Sequence, residues 1–504
     1  MKAITTRRYA IVPVALGLLA ASLTGCASGS GTGTSGGNSS GQLTVAGPYQ
    51  ITGLDPQGTL AADNGTQLAA KQIFSSLVTR DGTSFKPNLA TSWSASNDDK
   101  TWTFQLRSGV RYSDGTPVQA SDVQASVARE VKLNGPLASL WAGLTVTPSG
   151  NSVVVTSATP QGALLSNLST LSILPAGEVA QANFFTKPVG SGPFEVDSFT
   201  PGQTLTLVPN PKYWGTKPSL KKVTIRYIST TAAVVTALKT GEIQATWGLS
   251  DDQTTQLSGQ SGIVTKAVAS DAQYTMWFNS SRPAFASTAV RRALWQAVDF
   301  NSIIKSLYPT TGAAANAPIS STIVGYAKQN PYGYDPNAAK AALVAAKFDF
   351  STTYQLAYSG DSFTEFAQAV ASDLAKVGVK VAPTPKEKSV YLSDLLALNW
   401  DINLQSLSDT TGDASYVLGR LYTCAAKRTG YCDSSLDSAL SRAASATDAT
   451  ARNNAYAQAE QIIWTNAVGM FPMNVQITYT WRSSVSGFQP STNYQPDLSG
   501  VTVS

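Results

Sequence analysis

Residues 354–404 alternate between two hydrophobic periods, and that alternation restricts the fold more than any other feature of the chain. A two-residue period over Tyr354 to Tyr358 gives way to a helical period over 363–377, stopped by Gly378. A strand at 379–381, a short helix at 391–398 and a strand at 401–404 follow, spelling β-α-β-α-β. Helical crossovers join parallel neighbours in one sheet, so the expectation is an α/β body with helices flanking a mostly parallel sheet. Such sheets bind ligands beyond the carboxyl ends of their strands, which places the expected crevice after Leu404, in SLSDTTGD at 406–413.

The chain has room for more than one such body. With 504 residues, 42% apolar content, ten Trp and 13% charged residues, it can bury large cores and form two or three domains. It contains no histidine. That removes Ser-His-Asp triads, Cys-His dyads and His-ligated zinc, each of which needs an imidazole.

Residues 1–25 have the anatomy of an export signal: Lys2, Arg7 and Arg8, then an apolar run over 10–23 too short to span a bilayer as a stable helix. Leu23-Thr24-Gly25-Cys26 resembles a lipobox, which implies diacylation of Cys26 and anchoring of the mature chain by its acyl groups. Removing three positive charges and no negative ones turns the formal +5 into +2, and a nearly neutral chain without a basic run is not expected to bind nucleic acid. Residues 27–41 contain only Ala, Ser, Gly, Thr, Asn and read as a flexible tether, with a coil dimension on the order of 20 Å. The GxGxxG at 31–36 and the GxSxG at 33–37 lie in this tether without flanking strand or helix, and are products of low complexity.

The folded part is expected to begin with a strand at 42–46, followed by Leu54-Asp55-Pro56 and a helix through Ile73 to Leu77. In 101–106, Trp102, Phe104 and Leu106 alternate with Thr103 and Gln105; Asn97 to Lys100 form a turn, and Leu89 and Trp93 belong to the partner strand of a hairpin with an aromatic inner face. Asp114-Gly115 reverses the chain, and Thr116-Pro117, or Ser121 with Gln124, starts a helix with Val123 and Val127 on one face, ending near Arg129. Strands are also expected at 152–156, 194–199, 205–208 and over Val223, Ile225 and Tyr227, and a helix at 232–239 stopped by Gly241. The end of the chain is helical over 436–463, then alternates through Met473, Val475, Ile477, Tyr479 and Trp481.

PNLATSW, TFQLRSGVRYSDGTPV and ASDV in 87–123 are followed by PVGSGPFEVDSF, LTLVPNPKYWG, LKKVTIRYI and ALKTGEIQATWG between 188 and 248. MWFN at 276–279 and VRRALWQAVD at 290–299 come next, and Val485-Ser486-Gly487-Phe488 closes the series. In content and order these blocks resemble the family 5 extracellular solute-binding proteins, the peptide- and nickel-type receptors of ABC importers. The resemblance runs from Gln42 to Phe488. It implies a two-lobed α/β fold of the periplasmic-binding-protein type II, in its large three-domain variant, with mixed sheets, flanking helices and a hinge. The parts it implies are a leader at 1–25, Cys26 and linker at 26–41, lobe I from 42–78, 189–268 and 475–504, subdomain II at 79–188, and lobe III at 269–474.

Further implications concern the ligand. Dipeptide-type members place an aspartate in the crevice loop to hold the peptide ammonium; alignment puts Thr410 there, with Asp409 one residue away as the candidate. Those members also hold the peptide carboxylate with an Arg, and the corresponding span 354–365 has neither Arg nor Lys, which argues against strict dipeptide recognition. The candidate ligand residues are Asp409, Trp277, Asn279, Trp247 and Tyr416. No cofactor or metal is expected, and nickel without imidazoles would require an organic chelator. The expected partners are a small solute or peptide, ABC permease subunits and the membrane through Cys26, with the receptor itself a monomer. Cys424 and Cys432 remain after Cys26, and in an exported chain they are expected to form a disulfide.

Two other readings of the sequence compete with the receptor. A serine acyltransferase of the penicillin-binding type needs no histidine, and Ser302-Ile303-Ile304-Lys305, Lys239-Thr240-Gly241 and Ser491-Thr492-Asn493 match its short motifs, but KTG precedes SxxK where it should come last. The other is a sensory or structural surface lipoprotein retaining the receptor fold.

Overall fold

Eleven strands form one continuous sheet that runs the length of the molecule. The computed structural model describes residues 41–504; the leader, Cys26 and the tether up to residue 40 lie outside the described residues. At one end the expected crossover unit is present: Thr353–Tyr358 pairs in parallel with Lys380–Pro385 on one side and Ile402–Ser408 on the other. The helices Thr364–Lys376 and Lys388–Ala397 make the crossovers. Ile402–Ser408 then pairs antiparallel with Ile263–Phe278, which pairs with Gly469–Arg482. Beyond that the order continues through Ala245–Trp247, Gln42–Gly47, Lys222–Tyr227, Thr204–Pro209 and Phe194–Thr200.

Ile263–Phe278 and Gly469–Arg482 are long because each serves two hydrophobic cores. Ile477 and Tyr479 pack with Leu43, Val45, Ile73, Trp247 and Phe488 in one core, while Met276, Trp277, Met470 and Phe471 pack with Leu356, Phe366, Leu404 and Trp464 in another. A third core lies outside this sheet, between the four-stranded sheet built on Ala90–Ala95 and Thr101–Leu106 and the helix Ala120–Leu133. In its hairpin Trp93 faces Phe104 across the strands, and Phe104 is completely buried. Glycine ties the first core together: a Cβ at Gly190 would stand 2.0 Å from the carbonyl oxygen of Ile73, so only glycine permits that approach.

Several element boundaries differ from expectation for local reasons. The helix Asn64–Ile73 stops before Leu77, because Phe74 turns extended and sends 75–77 toward the next core. Neither Thr116-Pro117 nor Ser121 starts the following helix; Gln119 caps it, with Asp122 reaching back to the Gln119 N–H at 2.8 Å, and it extends to Leu133. The span 436–463 is two helices, Ser434–Ser445 and Ala449–Thr465, because Asp448 caps a new start through the Ala451 N–H.

Cys424 and Cys432 are joined by a disulfide that closes the loop before Ser434–Ser445. A loop this short restricts the unfolded chain by roughly 2 to 3 kcal/mol. Replacing both cysteines by serine is therefore expected to lower stability by about that amount in urea titration of the oxidised protein, with ligand binding retained.

Candidate functional site

The pairing of the two long strands breaks where they pass from one core to the other. Their register shifts between Ala269 and Gln273, leaving 270–272 outside the ladder. Neighbouring segments satisfy the freed backbone groups: Asp271 N–H donates to the Thr492 carbonyl at 2.8 Å, its carbonyl accepts from Asp409 N–H at 3.0 Å, and the Ser270 carbonyl accepts from the Ser320 hydroxyl at 2.6 Å. The bulge thus gathers the C-terminal loop, the crevice loop and the loop around Ser320.

A cleft of about 420 Å³ opens beside this junction. One wall comes from the helix Asn64–Ile73 and the strand Val78–Asp81, with Lys71 and Arg80, and from 489–497. A second wall is the end of the helix Leu164–Thr170, with Ser169, Thr170 and Ser172. Thr322, Thr410 and Thr411 face them from the body containing the crossover unit. Hydroxyl and amide groups dominate the lining; Phe74 and Tyr213 are its aromatic members.

Arg80 spans the junction. Its guanidinium ion-pairs with Asp271 and donates to the Thr492 hydroxyl at 3.2 Å, the Thr322 carbonyl at 3.2 Å and, weakly, the Gly412 carbonyl at 3.5 Å. Gly412 adopts φ +68°, and a Cβ there would lie 2.1 Å from the guanidinium, so backbone conformation and the Arg80 contact both require glycine. Below it, Asp413 is fully buried and bidentate with Arg452 at 2.6 and 2.7 Å, and also accepts from the Ser166 hydroxyl at 3.1 Å. Burial alone would raise the Asp413 pKa; the Arg452 charge and hydrogen bonds overcome that and hold it below the usual carboxylate value.

Of the five candidate ligand residues, none lines the cleft directly. Trp277 is buried in a core, its indole N–H donating to the Tyr422 hydroxyl at 2.8 Å. Asn279 is buried and donates to the Leu398 and Trp400 carbonyls at 2.9 and 2.8 Å. Trp247 stacks on Tyr479 inside the opposite core. Tyr416 carries the Arg420 guanidinium 4.2 Å above its ring. Asp409 comes nearest: its neighbours Thr410 and Thr411 line the cleft, while its own carboxylate turns inward and accepts from the N–H groups of Thr411 at 3.0 Å, Gly412 at 2.8 Å and Asp413 at 3.2 Å. Two residues of the expected crevice loop, Thr410 and Thr411, thus border the cleft, whereas no expectation from the sequence pointed to Lys71, Arg80 or Asp271. The hairpin turn Asp81-Gly82 just after Arg80 is the signal that could have found it. Ser302 donates its hydroxyl to Asp299 at 2.7 Å at an exposed helix start, and neither it nor Lys239 borders the cleft.

Comparison with known proteins agrees with this architecture. The family model for bacterial extracellular solute-binding proteins, family 5 Middle, matches residues 84–429. The chain belongs to that family. Among relatives of this family 5 chain, the probable D,D-dipeptide-binding periplasmic protein DdpA of Escherichia coli is 28% identical over 463 residues, covering 86% of this chain and 89% of that one. Among solved structures, HbpA2 of Haemophilus parasuis superposes with a TM-score of 0.83 at 20% identity, covering 92% of this chain and all (100%) of the other. DppA of Helicobacter pylori in complex with the peptide STSA gives a TM-score of 0.76 at 25% identity, covering 92% of this chain and 98% of the other. The family 5 fold is thus the two-lobed, type II α/β architecture, with the two long strands passing between its lobes.

Asp409 offers a test of the charge balance under the cleft. Burial first, then the charges of Asp413 and Asp271, push its pKa up to about 8 against its hydrogen bonds. An unfolded aspartate titrates near 4. Between those values the folded state holds a proton that the unfolded state has lost, so this group's contribution to stability falls as pH rises through that window. Asp409→Asn, which imitates the protonated acid, is expected to flatten the decline in urea-derived stability between pH 5 and pH 9.

Proposed function

We propose that this chain is the extracytoplasmic substrate-binding component of an ABC importer and that its solute is a small peptide. The observation that carries the reading is the place of the cleft: its walls come from segments of three separate cores, and the bodies behind them are joined by two strands whose pairing is broken at the cleft itself. Contacts from a ligand to opposite walls favour a closed arrangement over an open one, in proportion to the difference in affinity for the two. We assign the moving parts as 42–78, 189–268 and 475–504 against 269–474, with 79–188 riding on the first. The names of the relatives, a D,D-dipeptide-binding protein and a peptide complex of DppA, favour a peptide. A lining rich in hydroxyl and amide groups suits the backbone of a short peptide, with hydrogen bonds giving affinity and loose side-chain pockets tolerating variety.

Native mass spectrometry of the purified chain with di- to pentapeptides is expected to show one peptide bound per monomer, and small-angle scattering a smaller radius of gyration on binding. Binding of no peptide in this set, or binding without contraction, would overturn the peptide or the closure part of the reading respectively.

The same proposal includes an anchor: Cys26, lipidated after removal of 1–25, would hold the receptor at the outer face of the membrane while residues 27–41 give it reach. Cys26→Ser is expected to move the protein from the membrane fraction to the soluble fraction; a variant that stays membrane-bound would remove the anchor from the account.

A further inference from the structure

We infer that the ammonium group of Lys71 anchors an anionic group of the ligand, and that in a short peptide this group is the C-terminal carboxylate; the inference rests on the receptor reading above. Four charged side chains line the cleft: Lys71, Arg80, Asp81 and Asp497. Two of them are already engaged. Arg80 is committed to Asp271, the Thr492 hydroxyl and two backbone carbonyls, and Asp81 pairs with Lys86 at 2.5 Å. Lys71 has no carboxylate within ion-pair distance (4.0 Å) among the described residues.

Its position is fixed without that partner. Lys71 stands in the last turn of the helix Asn64–Ile73, between the buried Ala70 and Gln72, and projects into the cleft. One of its three N–H donors goes to the Gln495 carbonyl at 2.9 Å, which pins the ammonium to the wall and leaves donors for an incoming acceptor. Its side chain reaches solvent through the cleft, yet the protein packed around it lowers its pKa, with Asp497 opposing this and the neighbouring Arg80 charge adding to it. A carboxylate beside Lys71 offsets both unfavourable contributions by direct charge pairing, and the Thr410 hydroxyl across the cleft can add a neutral donor; the Thr322 and Thr411 hydroxyls already donate to the Ser270 carbonyl and the Asp409 carboxylate. Lys71 therefore supplies what the 354–365 span, with neither Arg nor Lys, does not: a positive group for a terminal carboxylate, on the other side of the cleft.

The test compares the full chain with Lys71→Gln and Lys71→Arg in calorimetric titrations of Ala-Ala-Ala and of its C-terminal amide. A charge-assisted anchor predicts that the unaltered chain binds the free acid about tenfold or more tightly than the amide. Lys71→Gln is expected to abolish that preference with amide affinity unchanged within about twofold, and Lys71→Arg to keep it. Because the side chain is exposed, both variants are expected to fold as the unaltered chain does, which thermal unfolding checks. Equal binding of acid and amide by the unaltered chain, or a preference that survives Lys71→Gln, would overturn the anchor and leave the receptor reading standing. Failure of both tripeptides and of the di- to pentapeptide set to bind would overturn the peptide reading and the anchor together.

Discussion

Pairing between Ile263–Phe278 and Gly469–Arg482 is the constraint on which the rest of the molecule depends. Two strands that continue from one hydrophobic core into another make the sheet common property, so neither core can be displaced without bending the strands. A fully paired ladder would make that connection stiff. The register shifts there twice, across 270–272 and again between Tyr274 and Met276, and at the first break side-chain hydroxyls and neighbouring loops take over the backbone hydrogen bonds. The cleft lies beside that interruption, and three segments of its lining, at Thr322, at Thr410-Thr411 and at 489–497, belong to the loops that complete the interruption.

Charge follows from the same geometry. Gathering Asp271, Asp409 and Asp413 around one bulge places three acids where water is largely excluded, and Arg80 and Arg452 supply only two counter-charges. The third acid resolves the imbalance by holding its proton, which is the physical content of the raised Asp409 pKa. The arrangement also divides labour between the two basic residues of the cleft wall. Arg80, planar and with several donors, suits a junction that needs many acceptors satisfied at once; Lys71, a point charge on a flexible stem, is left to face the solvent.

How much of this was legible in the sequence depended on whether the deciding contact is local. The parallel trio of Thr353–Tyr358, Lys380–Pro385 and Ile402–Ser408 was readable because each strand and helix declares its own period, and the crevice rule then led to a loop that borders the cleft. Asp122 as the cap partner of Gln119 and Asp448 as the start of a new helix are local too, but each competed with another signal nearby, Thr116-Pro117 in one case and the apolar positions on both sides of the break in the other. Trp247 and Trp277 show the limit of period alone. Alternation says that a side chain is buried, and it does not say whether the burying partner is a core or a ligand; here Tyr479 and Tyr422 are the partners. Arg80 and Asp271 meet across 191 residues, and no periodicity carries such information.

Gly412 shows why the crevice loop could be located but its working atoms could not. The sequence Asp409-Thr410-Thr411-Gly412-Asp413 folds into a turn in which Asp409 accepts three successive N–H groups, a local preference of aspartate followed by small residues. That turn withdraws the carboxylate from the cleft and presents the side of Thr410 and Thr411 instead, while the left-handed Gly412 brings its carbonyl up to Arg80. An acid one residue from the cleft thus acts on the loop's shape, and the charged side chains that line the cleft come from the facing wall. On the proposed reading recognition is divided: one body supplies the Thr410 hydroxyl on a rigid turn, the other supplies the Lys71 cation, and a solute long enough to touch both is the one that gains from drawing them together.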